Sequence, residues 1–454
     1  MAGNEKGRRP YMSLKAMVKG YGKKGLILAA AAAVFMTAGT ALFAQSSPEL
    51  DPLLKILVQN GVITQAQAEK VQEQYNAKKA EKKQQDQEQI QSTVKQEVQK
   101  TSPVPGWVSR LHIGSTMYLS YQNGQKYAGV PGQTESYSQM ALKRGYFDVK
   151  YDVNDWFQAR FTTDITRVGD GSVNTRIKYL YGKFHWAGND FFTKPYMEFG
   201  QVHVPYHDFW EAINGYRMQG TMFLERNGIF NSADDGVVFG SDFGGEMPAS
   251  YKKNVDPHYA GRYGSWQLGV YDGGGYHAGE KNQNKVVEAR FTLRPLPDVI
   301  PGLQIGVLGI SGKGNVAPSA TGYLPDWTAV DGMVSYESAR FTATGEYYTG
   351  KGNQSGTAVN PDGTARKQDG YSFFAAAKVS PDKKFRVIGR YDRFNTNTEA
   401  AYSALQDIQK RYIFGVAYDM FKGNMWLLDY EQLEHSLTGI PNEKQLQLTL
   451  QVKF

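Results

Sequence analysis

The chain has 454 residues, no cysteine, 49 glycines, 29 tyrosines and 23 phenylalanines, with 41% hydrophobic and 13% aromatic content. Those figures exclude a disulfide scaffold, a cysteine-ligated zinc site and a thiol nucleophile, and beyond residue 44 no stretch approaches the ~20 apolar residues that a membrane-crossing helix needs. The net charge of +7 belongs to the start of the chain, where Lys6, Arg8, Arg9, Lys15, Lys19, Lys23 and Lys24 face Glu5 alone; the remainder is nearly neutral, so no nucleic-acid partner is expected.

Residues 1–44 read as a secretory signal peptide. A basic segment ends at Lys23 and Lys24, an apolar core runs from Leu26 to Phe43, and small residues precede a cut between Ala44 and Gln45. Met12 and Met17 are alternative starts, and an uncleaved membrane anchor is the competing reading of the Ala-rich core. Residues 45–104 form a helical region of Gln, Lys and Glu. Leu53, Leu54, Ile56 and Leu57 make a short apolar helix, Asn60-Gly61 breaks it, and Thr64 caps a second helix running to about Lys100. Ala68, Val71, Tyr75, Ile90, Val94 and Val98 form a weak seam, interrupted by the polar tract Lys78 to Gln89. A short oligomeric coiled coil and a solvated helix or disordered spacer both fit.

From Trp107 the pattern has period 2, as a strand requires. Leu111, Ile113, Met117, Leu119 and Tyr121 oppose His112, Thr116, Tyr118 and Ser120; Phe157, Ala159, Phe161 and Ile165 oppose Gln158, Arg160, Thr162 and Asp164. Val287, Ala289, Phe291 and Leu293 oppose Glu288, Arg290, Thr292 and Arg294, and the chain closes with Leu446, Leu448, Leu450, Val452 and Phe454 against Gln445, Gln447, Thr449, Gln451 and Lys453. A soluble sandwich also alternates. Three features favour lipid as the outer solvent: full charges on the polar face, aromatic residues at strand ends (Tyr151, Trp156, Tyr347, Tyr348, Trp426), and short turns alternating with long Gly/Asn/Ser-rich loops. The short turns are Asn154-Asp155, Pro381-Asp382 and Lys422-Gly423; the long loops span 122–137, 205–233, 350–368 and 396–409. Residues 105–454 are thus expected to be an all-β, transmembrane antiparallel β-barrel of sixteen strands, beginning near 110, 140, 156, 175, 196, 236, 259, 285, 302, 326, 340, 370, 384, 411, 424 and 444. Weak alternation near 326 and 424 leaves fourteen or eighteen strands open.

Enzymatic motifs are absent: there is no G-x-S-x-G, and Asp272 with its following glycines lacks the Lys-Ser/Thr of a phosphate loop. His203 and His207 have the spacing of a helical metal pair, but Pro205 between them argues against the helix. No catalytic residue, metal or cofactor is expected. A barrel of ~16 strands instead encloses an aqueous channel, and the loop Tyr206 to Ala233, folded inward, would narrow it. That loop carries Arg217, Glu225 and Arg226 beside Trp210, Tyr216 and Phe223. With wall arginines Arg160, Arg386 and Arg390 it is expected to set a mild anion preference; the alternative is that Glu225 and Arg226 pair locally and brace the loop. Phe454 is expected to carry the assembly signal of the last strand, or else to be one more girdle aromatic.

The run Tyr196-Met-Glu-Phe-Gly-Gln-Val-His-Val-Pro-Tyr206, followed by Phe223-Leu-Glu-Arg-Asn227, Gly236-Val-Val-Phe-Gly240, Trp266-Gln-Leu-Gly-Val-Tyr-Asp-Gly273, Gly345-Glu-Tyr-Tyr348 and Gly389-Arg-Tyr-Asp-Arg-Phe394, resembles the phosphate-selective porins O and P. The resemblance implies a homotrimeric sixteen-stranded porin of the bacterial outer membrane, in contact with its lipid, whose third loop folds into the pore and whose basic residues draw small anions such as phosphate. Arg226 falls on the Glu-Arg motif; no motif places a basic ladder, and residues 105–454 hold 36 basic against 35 acidic side chains. The helical region would reinforce the trimer or contact the cell wall. Two other functions compete: a general or cation-preferring diffusion porin that also tethers the envelope, and a soluble glycan-binding β-protein of the envelope.

Overall fold

The computed structural model describes residues 51–72, 74, 75, 78, 82, 106–168, 171–256 and 258–454. The leader expected at 1–44 and most of the helix expected to reach Lys100 lie outside the described residues. The chain divides into two compact units between Val104 and Pro105.

In the first unit a helix spans Pro52–Gln59, opened by the Asp51 carboxylate, which accepts from the Leu53 amide at 2.9 Å. It stops at Asn60, and Gly61 takes the left-handed φ of +68° that turns the chain. Thr64 then caps helical backbone at 65–72. Its hydroxyl accepts from the Gln67 amide while the Gln67 side chain accepts from the Thr64 amide, a reciprocal capping box. Ala68 is buried here, whereas Leu53, Ile56, Val71 and Tyr75 are exposed.

The second unit is a closed antiparallel barrel of sixteen strands. In chain order they are β1 (Leu111–Tyr127), β2 (Thr134–Asn154), β3 (Phe157–Arg167), β4 (Val173–His185), β5 (Tyr196–His203), β6 (Ala233–Phe243), β7 (Gly264–Tyr271) and β8 (Val286–Leu293). They continue as β9 (Leu303–Lys313), β10 (Asp326–Glu337), β11 (Phe341–Lys351), β12 (Lys367–Lys378), β13 (Phe385–Asn395), β14 (Ile408–Phe421), β15 (Asn424–Glu434) and β16 (Glu443–Lys453). Each pairs with its sequence neighbours, and β1 pairs with β16 from Thr116↔Lys453 to Gln125↔Lys444. Phe454 extends that seam by exchanging backbone hydrogen bonds with Ser115. The strands start close to the expected positions, β2 departing most. There the expected loop 122–137 is largely strand, with only 128–133 connecting. Its polar residues stay extended because the partner strand supplies the hydrogen-bond ladder, which outweighs weak intrinsic strand preference.

Period 2 sorts the side chains as expected, with Ile113, Leu119, Val287, Phe291, Val330, Val387 and Phe414 exposed on the outside, and Ser120, Glu288, Arg290, Asp331, Arg390, Gln447 and Thr449 buried within. Outward tyrosines line up on neighbouring strands, Tyr371 against Tyr391 at 6.0 Å and Tyr391 against Tyr412 at 5.0 Å, as an interfacial girdle does. Tyr348 corrects the expected girdle: it faces inward and is fully buried, because Tyr347 beside it already occupies the outward parity. The expectation of short turns along one whole rim also needs correction. The turns at 338–340 and 422–423 are short, but on the same rim the connection from β6 to β7 is long, contains the helix Ala249–Asn254, and brings the Tyr259 hydroxyl to Asp208.

Val330 is 54% exposed near the middle of β10. A charge there would meet hydrocarbon, so Val330→Arg is expected to cost about 2–4 kcal/mol, read as a lowered midpoint of denaturant unfolding in lipid vesicles. An unchanged midpoint would place this face in water.

Candidate functional site

The long connection 204–232 between β5 and β6 turns into the barrel. Pro205 sits at the first helical position, where its fixed φ is preorganised and its missing amide costs nothing, and the helix runs Pro205–Ile213. Tyr206, Phe209, Trp210 and Ile213 follow helical spacing and are all buried. After Asn214 and Gly215 the chain makes a 3-10 turn (Arg217–Gln219) and a short helix (Phe223–Arg226), burying Met218, Met222, Phe223 and Leu224. Apart from Met218, which packs with Phe374 on β12, Ile388 on β13 and Leu427 on β15, their apolar partners are the inward wall residues Leu308 on β9, Trp327 and Met333 on β10, Tyr348 on β11 and Phe394 on β13. The loop is therefore the core of this barrel.

Polar contacts fasten it on two sides. Toward β7 and β11, Gln267 Nε2 donates to Asp208 at 2.7 Å, Tyr259 from the folded 244–263 connection donates to the same carboxylate at 2.6 Å, and Tyr206 donates to Glu346 at 2.7 Å. Toward β13 to β16 and β2, Arg390 donates to the Thr221 carbonyl at 2.9 Å, Gln447 to the Gln219 carbonyl at 3.0 Å, and Lys143 to the Met218 carbonyl at 2.6 Å. Arg226 pairs with Glu431 at 3.1 Å, and Glu431 also pairs with Arg411. Gly220 makes this possible: a Cβ there would stand 1.9 Å from the Arg226 guanidinium.

Charges on the loop are arranged in a compact cluster. Arg217 lies 2.9 Å from Glu211 and 3.2 Å from Glu225, and His207 lies 3.0 Å from Glu225. Burial alone would raise both carboxyls, but Arg217 and His207 hold Glu225 well below the usual range, and Lys178 with Arg217 lowers Glu211. Asp208 is pulled down to about 2, where the charge of His203 and the Tyr259 hydroxyl outweigh desolvation. Arg226 is lowered to about 10 by burial, which Glu431 only partly offsets.

Beside the loop, toward β1 to β5, remains a cavity of about 590 Å³. Its wall carries Asp148, Lys150, Arg160, Lys178 and Tyr179, and its loop side carries Asp208, Glu211 and Arg217. Of the residues expected from sequence to act together, Arg160 and Arg217 line this cavity. Arg160 bonds Asp148 at 2.7 Å and Tyr181 at 3.2 Å, and lies 2.9 Å from His203. Glu225 sits behind Arg217. Arg226 and Arg390 hold the loop to the far wall, and Arg386 pairs with Asp419 there, 3.5 Å from the Tyr216 hydroxyl. Phe454 is 71% exposed at the barrel seam.

Contrary to the expectation from sequence, Pro205 does not prevent the helix but begins it. His203 stays on β5, 3.1 Å from Glu198, so the two histidines do not form a pair. His207, Glu211 and Glu225 bring ligand-type atoms within 4.8 Å of one another, but the Arg217 guanidinium already occupies both carboxylates. Sequence reasoning missed Lys178 and Tyr179. Register shifts between Thr162 and Thr163, whose partners are Tyr179 and Ile177, so Lys178 is the extra residue of a β-bulge. Gln201 fastens the bulge from the next strand, donating to the Ile177 and Lys178 carbonyls at 2.6 and 2.9 Å. The available signal was the apolar pair Ile177 and Leu180, three apart, which strict alternation cannot place on one face.

No protein-family model matches the chain, and no curated protein sequence matches it. Among solved structures, an anion-selective porin from Comamonas acidovorans matches 76% of this chain and 99% of its own at 12% identity, with a TM-score of 0.51. The outer membrane channel DcaP of Acinetobacter baumannii matches 76% and 97% at 11% identity with a TM-score of 0.49, as does Salmonella typhi OmpF in complex with daunomycin. The likeness to the first establishes that the chain has the porin fold.

Asp208 and Glu225 are depressed in the folded loop, so their stabilisation is complete above their ordinary values of 3.8 and 4.5 and is lost as pH falls through the folded values. Hydrogen-exchange protection of amides 206–230, corrected for intrinsic rates, is expected to hold from pH 7 to about 5 and to fall between about 4 and 2. Protection that rises on acidification would contradict the ion-pair account.

Proposed function

We propose that this chain is a porin of the bacterial outer membrane that passes small hydrophilic solutes by passive diffusion, with a mild preference for anions, phosphate among them. One observation carries this reading: an inward loop, fastened to the wall toward β7 and β11 and toward β13 to β16, leaves toward β1 to β5 a cavity lined by Lys150, Arg160 and Lys178. Facing them across the cavity are Asp208 and Glu211 of the loop helix. Cations on the wall and carboxylates on the loop create a transverse field, which low-dielectric walls concentrate. Arg160 is partly neutralised by Asp148 and Arg217 by Glu211 and Glu225, so the anion preference is modest. The rival reading, a soluble glycan-binding protein, would leave Val330, Phe239, Phe291 and Phe414 in water around the barrel. That apolar band favours lipid.

The assembly is a homotrimer in this reading, and the exposed apolar residues Leu53, Ile56, Val71 and Tyr75 suit a periplasmic region, 45–104, that reinforces it or contacts the cell wall. Deleting residues 49–100 is expected to leave single-channel conductance intact; loss of all insertion would refute the accessory role.

Ion preference is measured by the reversal potential of single channels in a salt gradient. The wild type is expected to favour chloride over potassium, and Arg160→Gln to bring that permeability ratio close to unity. Arg386→Gln, on the far side of the loop, is expected to change it little. A cation-preferring wild type would leave a general diffusion pore without the anion preference.

A further inference from the structure

Lys178 differs from the neighbouring cations Arg160, Arg217, Arg144 and Lys183. Arg160 is committed to Asp148, Tyr181 and Thr162, Arg217 to two glutamates, Arg144 to Asp164, and Lys183 to Glu198. Lys178 is only 4% exposed. Among the described residues no oxygen lies within hydrogen-bond or ion-pair distance of its ammonium, which instead stands 4.9 Å from the ring centroid of Tyr146 and 5.1 Å from that of Tyr179. Two ring faces offset part of the desolvation cost of a buried ammonium, yet its three donors remain available, and its remaining exposure opens into the 590 Å³ cavity. The bulge capped by Gln201 explains how both Lys178 and Tyr179 come to face the lumen.

We infer that Lys178, framed by Tyr146 and Tyr179 and with Tyr118 beside them, is a binding site for the carboxylate of a small organic monoanion in transit. This rests on the pore reading above. The ammonium supplies one positive charge. The phenol hydroxyls of Tyr118, Tyr146 and Tyr179, which have no partner among the described residues, supply further donors to a carboxylate's two oxygens. Glu211 and Asp148 line the same cavity and repel a second negative charge, so a doubly charged phosphate is held less well than a monocarboxylate. Ring surface beside the ammonium suits an apolar or aromatic body better than a hydrated inorganic ion.

Benzoate is a suitable probe. Added to single channels carrying chloride current, it is expected to block saturably in the wild type. Lys178→Gln should raise the half-blocking concentration at least tenfold, and Tyr179→Phe a few-fold. Phosphate at pH 8 is expected to block more weakly than benzoate at equal concentration. Equilibrium dialysis of benzoate against the detergent-purified barrel reads the same site without current, and should show the same order of affinities. Equal block and equal dialysis affinity in wild type and Lys178→Gln, or phosphate stronger than benzoate, would overturn the site while leaving the pore. A wild type that inserts and carries no current, yet binds benzoate through Lys178 in dialysis, would overturn the pore and keep the site.

Discussion

Hydrocarbon offers no partner to a backbone amide, and everything else in this molecule follows from that. A spanning sheet must close so that every amide and carbonyl finds a partner strand, and here the closure is completed by β1 on β16, down to the bonds between Ser115 and Phe454. Closure turns the usual globular pattern inside out. Apolar side chains such as Val330 and Phe414 point away from the centre, while Arg290, Asp331 and Arg390 are buried within it.

A ring of sixteen strands is too wide for its own side chains to fill, and the connection after β5 supplies the missing core. Its apolar stripe packs on Leu308, Trp327, Met333 and Tyr348, as the apolar face of a core helix does in a soluble protein. The polar remainder is held by charge. Removing Glu431 leaves both Arg226 and Arg411 without their carboxylate, a loss of ~3–5 kcal/mol. Arg226 and Arg390 are therefore structural in their effect: they hold the loop against the wall.

The cavity beside the loop is defined by what the loop leaves uncovered. On β2 to β4 the cations differ in how much of their bonding capacity the protein consumes, from Arg160, surrounded by partners, to Lys178, with rings alone. That difference says more about the cavity than the count of charges, since a guanidinium saturated by carboxylates and hydroxyls offers little to an anion, whereas an ammonium with spare donors offers both charge and hydrogen bonds.

The sequence by itself determined which residues face lipid and which face the lumen along most strands, because side-chain direction in a strand depends only on parity. It determined where most turns fall, that Thr64 caps a helix, and that the loop after the fifth strand carries both the aromatic mass and the charges of the interior. Parity failed where register slips: one extra residue at the β4 bulge turned Lys178 inward beside Tyr179. It also failed where a proline that seemed to forbid a helix begins one. Only the tertiary structure decided the roles of the arginines. Arg226 meets Glu431 and Arg390 meets the Thr221 carbonyl, partners far away along the chain that lie together because barrel closure and stagger fix how the strands wrap around the loop. Alternation tells which side of the wall a charge is on; its position around the ring, and so whether it meets the loop or the cavity beside it, exists only once the ring has closed.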